Sequence, residues 1–200
     1  MLVIGLTGPS GAGKGEVARI FSAYGLPIIN ADDVYHRLLL PPSSCLKELT
    51  AEFGVEILTP AGELDRRKLS ETVFANPTAL QKLNSIAHRY VMEEIHRQLE
   101  LLRRAGTRAA VIDAPQLFEA GANRDCGTVI SVLADKGLRL ERIIARDGID
   151  AEHAIRRVNA QKSDDYFRAH SNYVIENNGS AERLIPIVRE ILLELGVIED

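Results

Sequence analysis

Residues 8–15 read Gly-Pro-Ser-Gly-Ala-Gly-Lys-Gly, directly after the apolar run Leu2–Thr7 and directly before a stretch of helical period. The segment matches G-x-x-x-x-G-K at Gly8, Gly13 and Lys14. Glycines at this spacing let the backbone turn tightly and aim successive N–H groups at one point. A helix starting where the loop ends adds the positive end of its dipole. A lysine at this position then reaches the β- and γ-phosphates of a nucleotide. The nucleotide-contacting set expected from this stretch is Gly8, Pro9, Ser10, Gly11, Ala12, Gly13, Lys14, Gly15 and Glu16. The bland alternative is a glycine-rich turn with an exposed lysine, and the strand-loop-helix context weighs against it.

One position breaks the pattern. After the lysine the motif carries Ser or Thr, whose hydroxyl donates an oxygen to Mg²⁺; here the residue is Gly15. Either water or a nearby aspartate completes the metal's octahedron, or the loop binds nucleotide without efficient transfer.

Working outward, Val17, Ile20, Phe21 and Tyr24 fall at i, i+3, i+4 and i+7, the stripe of a helix that Gly25 terminates. Further strand candidates are Pro27–Asn30, Arg108–Ala114, Thr128–Ala134 and Asn172–Glu176. Continuous apolar strands alternating with helices indicate an α/β fold with a five-stranded parallel sheet covered on both faces. The connection between the second and third strands is far longer than a minimal crossover needs, so it must hold structure of its own. Asp65 caps a helix beginning at Arg66, with Leu64 and Leu69 as a hydrophobic staple, and Asn76-Pro77 ends it. A second helix shows Val91, Ile95, Leu99 and Leu102 on one face, with Gly106 beyond its end. Residues 136–170 carry Arg139, Arg142, Arg146, Arg156, Arg157, Lys162 and Arg168 among acidic neighbours, a pattern that usually means a solvated helix face. A last helix runs roughly from Ser180 to Leu195, kinked or delayed by Pro186.

With 200 residues, 46% of them hydrophobic and 26% charged, the chain reads as a single globular domain. Within it we expect a core of residues 1–31, 107–135 and 171–200, an inserted helical lobe at 32–106 and a separate segment at 136–170. A net charge of −4 disfavours a general nucleic-acid partner. Two distant cysteines, Cys45 and Cys126, argue for a reducing compartment, and no apolar run is long enough for a membrane span. A cytoplasmic protein is expected.

Ligands of open α/β sheets sit beyond the strands' C-terminal ends, so Asp32 and Asp33 after the second strand and Asp113 at the end of the third draw attention. Phosphoryl transfer needs a carboxylate to accept the acceptor's proton or to hold a metal-bound water. Asp32 and Asp113 are the metal candidates, through water; helix capping and a plain strand end are their alternatives. Arg142 and Arg146, at i and i+4, are placed to stabilise developing negative charge. His88, a lone histidine on a helix, reads as structural. Neither D-x-x-G after the third strand nor N-K-x-D follows, so a GTPase is disfavoured.

Taken together, GPSGAGKG, INADD (29–33), GELDRRKL (62–69), LNSIAH (83–88), DAPQLFEAG (113–121), RIIARDG (142–148) and YVIENNG (173–179) resemble the dephospho-CoA kinase family of P-loop kinases. The resemblance runs along nearly the whole chain. It implies a P-loop kinase fold in which 32–106 is the lobe for the CoA substrate and 136–170 a helical lid. It also implies ATP-dependent phosphorylation of the ribose 3′-hydroxyl of dephospho-CoA, with Mg²⁺. Asp32 matches the family's candidate base and Lys14 its phosphate lysine. Arg142 and Arg146 match the lid, Asn177 and Asn178 the loop near adenine. Arg66, Arg67 and His88 match the substrate side, to which Asp113 is also assigned. Gly15, Asn30, Gln116 and Arg89 depart from the family pattern, which marks a divergent member. Alternatives are a nucleotide- or CoA-binding relative with weak or no turnover, and another small-metabolite or nucleoside monophosphate kinase.

Overall fold

A computed structural model describes residues 1–74 and 76–199. In chain order its elements are β1 (Leu2–Thr7), α1 (Lys14–Ala23), β2 (Ile28–Asn30), α2 (Ala31–Leu38), α3 (Ser44–Phe53), α4 (Arg66–Phe74) and α5 (Pro77–Arg104). There follow β3 (Ala109–Asp113), β4 (Thr128–Leu133), α6 (Lys136–Asp147), α7 (Ala151–Asn159), α8 (Asp164–His170), β5 (Tyr173–Glu176) and α9 (Leu184–Glu194). The chain forms two compact units, one of Met1–Ile29 with Leu102 onward, the other of Asn30–Leu101.

The first unit holds the sheet, ordered β2-β3-β1-β4-β5. β1 lies between β3 and β4, parallel to both, with Leu6 opposite Asp113 and Thr7 opposite Ser131. Every residue of β3 and β4 is buried, as strands covered on both faces require. α1 packs Val17, Ile20 and Phe21 into a cluster with Ile4, Leu6, Val111, Ile130, Val188 and Ile191. Fully burying a side chain such as Phe21 contributes about 1.5–3 kcal/mol. Gly25, with φ of 81°, closes α1: its N–H reaches the Ser22 carbonyl, and the Leu26 N–H reaches Phe21's.

Pro186 delays the last helix rather than kinking it. Ser180 leads into a short 3₁₀ turn, Ala181–Arg183, and regular α9 starts at Leu184. Pro186 is then the third helical residue, where its missing N–H removes no intrahelical bond.

The second unit is helical, around Leu39, Cys45, Leu49, Ile57, Leu69 and Val73. Asp65 caps α4 by accepting the Arg67 and Lys68 N–H groups, both at 3.1 Å, and Leu64 joins Leu69 in that cluster. Pro77 does more than end a helix: it is the first residue of α5, with the Asn76 side chain capping Thr78. α5 buries Val91, Ile95 and Leu99. Among the described residues no helix is long and apolar enough to cross a membrane.

Candidate active site

In the first unit the glycine-rich loop and the side chains that surround it lie at the C-terminal ends of β1, β3, β4 and β5. The loop from Gly8 to Gly13 leaves β1 and delivers the chain to Lys14, the first residue of α1. Gly13 is the helix N-cap in the left-handed region, φ 94°, and no side chain caps α1. The first amides of the helix therefore face outward along its positive dipole end, the arrangement that receives an anion.

Close approach as well as dihedral freedom demands glycine here. A Cβ on Gly11, φ 80°, would stand 2.5 Å from the carbonyl oxygen of Arg139, and one on Gly13 would stand 2.0 Å from the Asn177 amide nitrogen. At Gly15 nothing lies within 4 Å of the added carbon, so packing does not explain that glycine.

Three consecutive carbonyls of the loop are held from outside. Arg139 Nε donates to Ser10 O at 3.1 Å, Arg142 Nη1 to Gly11 O at 3.3 Å, and Asn177 Nδ2 to Ala12 O at 2.9 Å. The Ser10 N–H donates to Gln161 Oε1 at 3.1 Å, and Arg139 Nη2 donates to the same oxygen at 3.0 Å. Arg142 also reaches the Asn177 carbonyl at 3.1 Å. Arg146 makes a long 3.4 Å contact with Ser10 Oγ while paired to Asp147, whose carboxyl it pulls down to about 2. Asn178 ties β5 to the start of α6, accepting the Asp135 N–H at 2.7 Å.

Lys14 forms an ion pair with Asp113, the last residue of β3. Both side chains are largely shielded, 14% and 4% exposed, so the attraction works in a lower dielectric than at the surface.

The structure thus gathers Lys14, Asp113, Arg142, Arg146 and Asn177 around the loop, with Asn178 bracing the adjoining β4–α6 connection. Asp32, Arg66, Arg67 and His88 belong to the second unit. Asp32 is in the first turn of α2, which Asn30 caps through the Asp33 N–H at 3.0 Å. Arg66, exposed, edges a cavity of about 190 Å³ in that unit, lined by Tyr35, Leu39, Leu69 and Leu83. Burial raises the Tyr35 phenol. Arg67 lies on the exposed face of α4, 3.6 Å from Glu71, and His88 lies midway along α5.

Two residues escaped the sequence reading. Arg139 is no part of a solvated face, because it is buried, and Gln161 belongs to no motif in the chain. A usable signal existed for Arg139, because 139, 142 and 146 stand at i, i+3 and i+7 on one helical stripe. Gln161 sits in the turn between α7 and α8, where no period points to it. The solvated reading does hold for Arg156, Arg157 and Arg168, each in an exposed ion pair.

No cluster of three or more acidic, histidine or cysteine side chains able to cage a metal occurs among the described residues. This donor set fits Mg²⁺, which is normally held by one or two carboxylates, waters and substrate phosphates. Asp113 supplies a carboxylate beside the loop, and the open space at Gly15 admits water where the hydroxyl is missing.

The dephospho-CoA kinase family model matches residues 2–183. A dephospho-CoA kinase of Syntrophotalea carbinolica is 38% identical over 183 residues, 92% of this chain and 87% of the relative. The crystal structure of TT1252 from Thermus thermophilus superposes with a TM-score of 0.81 at 30% identity, covering 97% of both chains. Dephospho-CoA kinase from Campylobacter jejuni superposes at 0.72 and 26% identity, covering 96% of both. The glycine-rich loop, its lysine and the parallel sheet behind them are those of a kinase, and the chain belongs to the dephospho-CoA kinase family.

Proposed function

We propose that this protein transfers the γ-phosphate of ATP to the ribose 3′-hydroxyl of dephospho-CoA, forming coenzyme A. The observation that carries the reading is the loop itself. Three of its carbonyls are engaged from outside, and its helix amides lie beside Lys14 in a chain of this family. In the reaction Lys14 neutralises the β- and γ-phosphates, and Arg142 and Arg146 offset charge as it spreads over the transferred group. Asp32 takes the proton of the attacking hydroxyl, whose oxygen forms the new P–O bond while ADP leaves with the electrons of the old one. Asp113 and Asp32 are the carboxylates that would hold Mg²⁺ through water, and the ion would supply positive charge against the phosphates.

On this reading residues 136–170 act as a lid, and 32–106 hold the acceptor through Arg66, Arg67 and His88. The loop at Asn177 and Asn178 borders the adenine. The family setting supports a cytoplasmic location and ATP and dephospho-CoA as small-molecule partners. Incubating the pure protein with MgATP and dephospho-CoA tests the proposal: coenzyme A and ADP are expected in equal amounts, and no coenzyme A at high enzyme concentration refutes it. Shikimate and nucleoside monophosphates, offered as acceptors in the same assay, separate this reading from other small-molecule kinases.

A further inference from the structure

Arg139 is a charged side chain 4% exposed, an expensive arrangement unless its donors are satisfied. Burial lowers its pKa, and Asp164 raises it only in part. Its partners are unusual for a buried cation. The Asp164 carboxylate is distant at 3.4 Å and half-exposed, whereas the closer acceptors are the neutral oxygens of Ser10 and Gln161, at 3.1 and 3.0 Å. Gln161 in turn uses that one oxygen for both Arg139 and the Ser10 N–H. Ser10 is therefore gripped at its amide and at its carbonyl by side chains that meet only because α6 and the α7–α8 turn converge on the loop. The α6 backbone also forms the wall against Gly11, as the 2.5 Å approach to the Arg139 carbonyl shows.

We propose that Arg139 and Gln161 are positioning residues for nucleotide binding, which they serve without touching the nucleotide. An anion-receiving loop works only while its carbonyl dipoles point away from the phosphates, since each oxygen that swings inward opposes the charge being bound. Arg139 holds the Ser10 carbonyl outward, and Gln161 fixes both the guanidinium and the amide on the other side of Ser10. Because the pair sits on residues 136–170, it links that segment's placement to the shape of the loop. The inference rests on the reading that ATP occupies this loop.

Gln161→Leu keeps the volume and removes the shared acceptor; Arg139→Met keeps the packing stem and removes the charge. Gln161→Glu keeps an acceptor oxygen and serves as the rescue variant. ATP binding is measured directly by calorimetry, and KM for ATP, KM for the acceptor and kcat by coenzyme A formation. The expected result is an approximately tenfold weaker Kd and higher KM for ATP in Gln161→Leu and Arg139→Met. The acceptor KM should stay within about twofold, and Gln161→Glu should stay near the wild type. The proposal is overturned if Kd for ATP is unchanged in both variants, or if both KM values rise together with a fall in kcat, the pattern of general structural damage. Failure of the underlying reading looks different, because the wild-type protein itself would then bind no ATP.

Discussion

The ammonium of Lys14 at the start of α1 is ion-paired with the carboxylate of Asp113 at the end of β3, ninety-nine residues later in the chain. The pair joins the loop's one lysine to the strand register, because Asp113 stands opposite Leu6, two residues before the loop begins. Removing one member of a shielded pair takes a compensating charge away from the other, which is destabilising. We expect Lys14→Met and Asp113→Asn each to lower stability, and the double variant to lose less than the sum of the two. Urea denaturation of the four proteins measures that coupling, and additive losses would contradict it. In the kinase assay Lys14→Met should fall about 10²–10³-fold.

Gly15 is the position at which this chain departs from the metal-binding pattern, and the space around it is open. Gly15→Ser should therefore fold without strain and gain about 0.5 kcal/mol as a better helix former. It also returns a hydroxyl to the metal's expected position. The Mg²⁺ concentration giving half-maximal rate should drop, with the largest gain in rate at limiting Mg²⁺. An unchanged Mg²⁺ dependence would show that water already serves in that place.

Both thiols are held neutral by burial, Cys45 pushed up to about 11 and Cys126 to about 12 from an ordinary 9.0, with Glu48 and Asp125 adding smaller pushes. A folded pKa above the unfolded one means the native state keeps its proton longer. The associated stability is fully present below pH 9 and declines as pH rises toward 11–12. The unfolding free energy from urea denaturation should thus fall between pH 9 and 11, by up to about 1.4 kcal/mol per pH unit for each thiol. At pH 8 iodoacetamide should label both cysteines only after unfolding; fast labelling of the native protein would count against this.

The second unit offers a separable test. Asp65 accepts two N–H groups at the start of α4, and Asp65→Ala should cost about 1 kcal/mol of stability. Because α4 carries Arg66 and Arg67, the proposed function predicts a higher acceptor KM in this variant with an unchanged KM for ATP. Equal effects on both substrates would separate α4 from acceptor binding.

The parts of the molecule legible in the chain were those built from local rules. The glycine spacing of 8–15, the stripe of Val17, Ile20 and Phe21 and the Asp65 cap each depend on residues within a few positions of one another. Each therefore leaves a pattern in sequence. Pro186 shows the limit of such rules, because a proline's effect turns on its place in the helix, and regular α9 starts only at Leu184, a residue of the buried cluster, after a 3₁₀ turn.

The sequence by itself determined that a strand, a phosphate-binding loop and a helix succeed one another, that further parallel strands follow, and that Gly15 lacks the expected hydroxyl. Only the tertiary structure decided which distant side chains hold the loop. Arg139, Gln161 and Asn177 reach Ser10 and Ala12 across at least 129 positions, and Arg139 is buried although it lies in a segment rich in charged residues. Composition and period report what a segment prefers next to solvent or a generic core. Which carbonyl a guanidinium meets is set by how α6, β5 and the α7–α8 turn converge at the ends of the sheet.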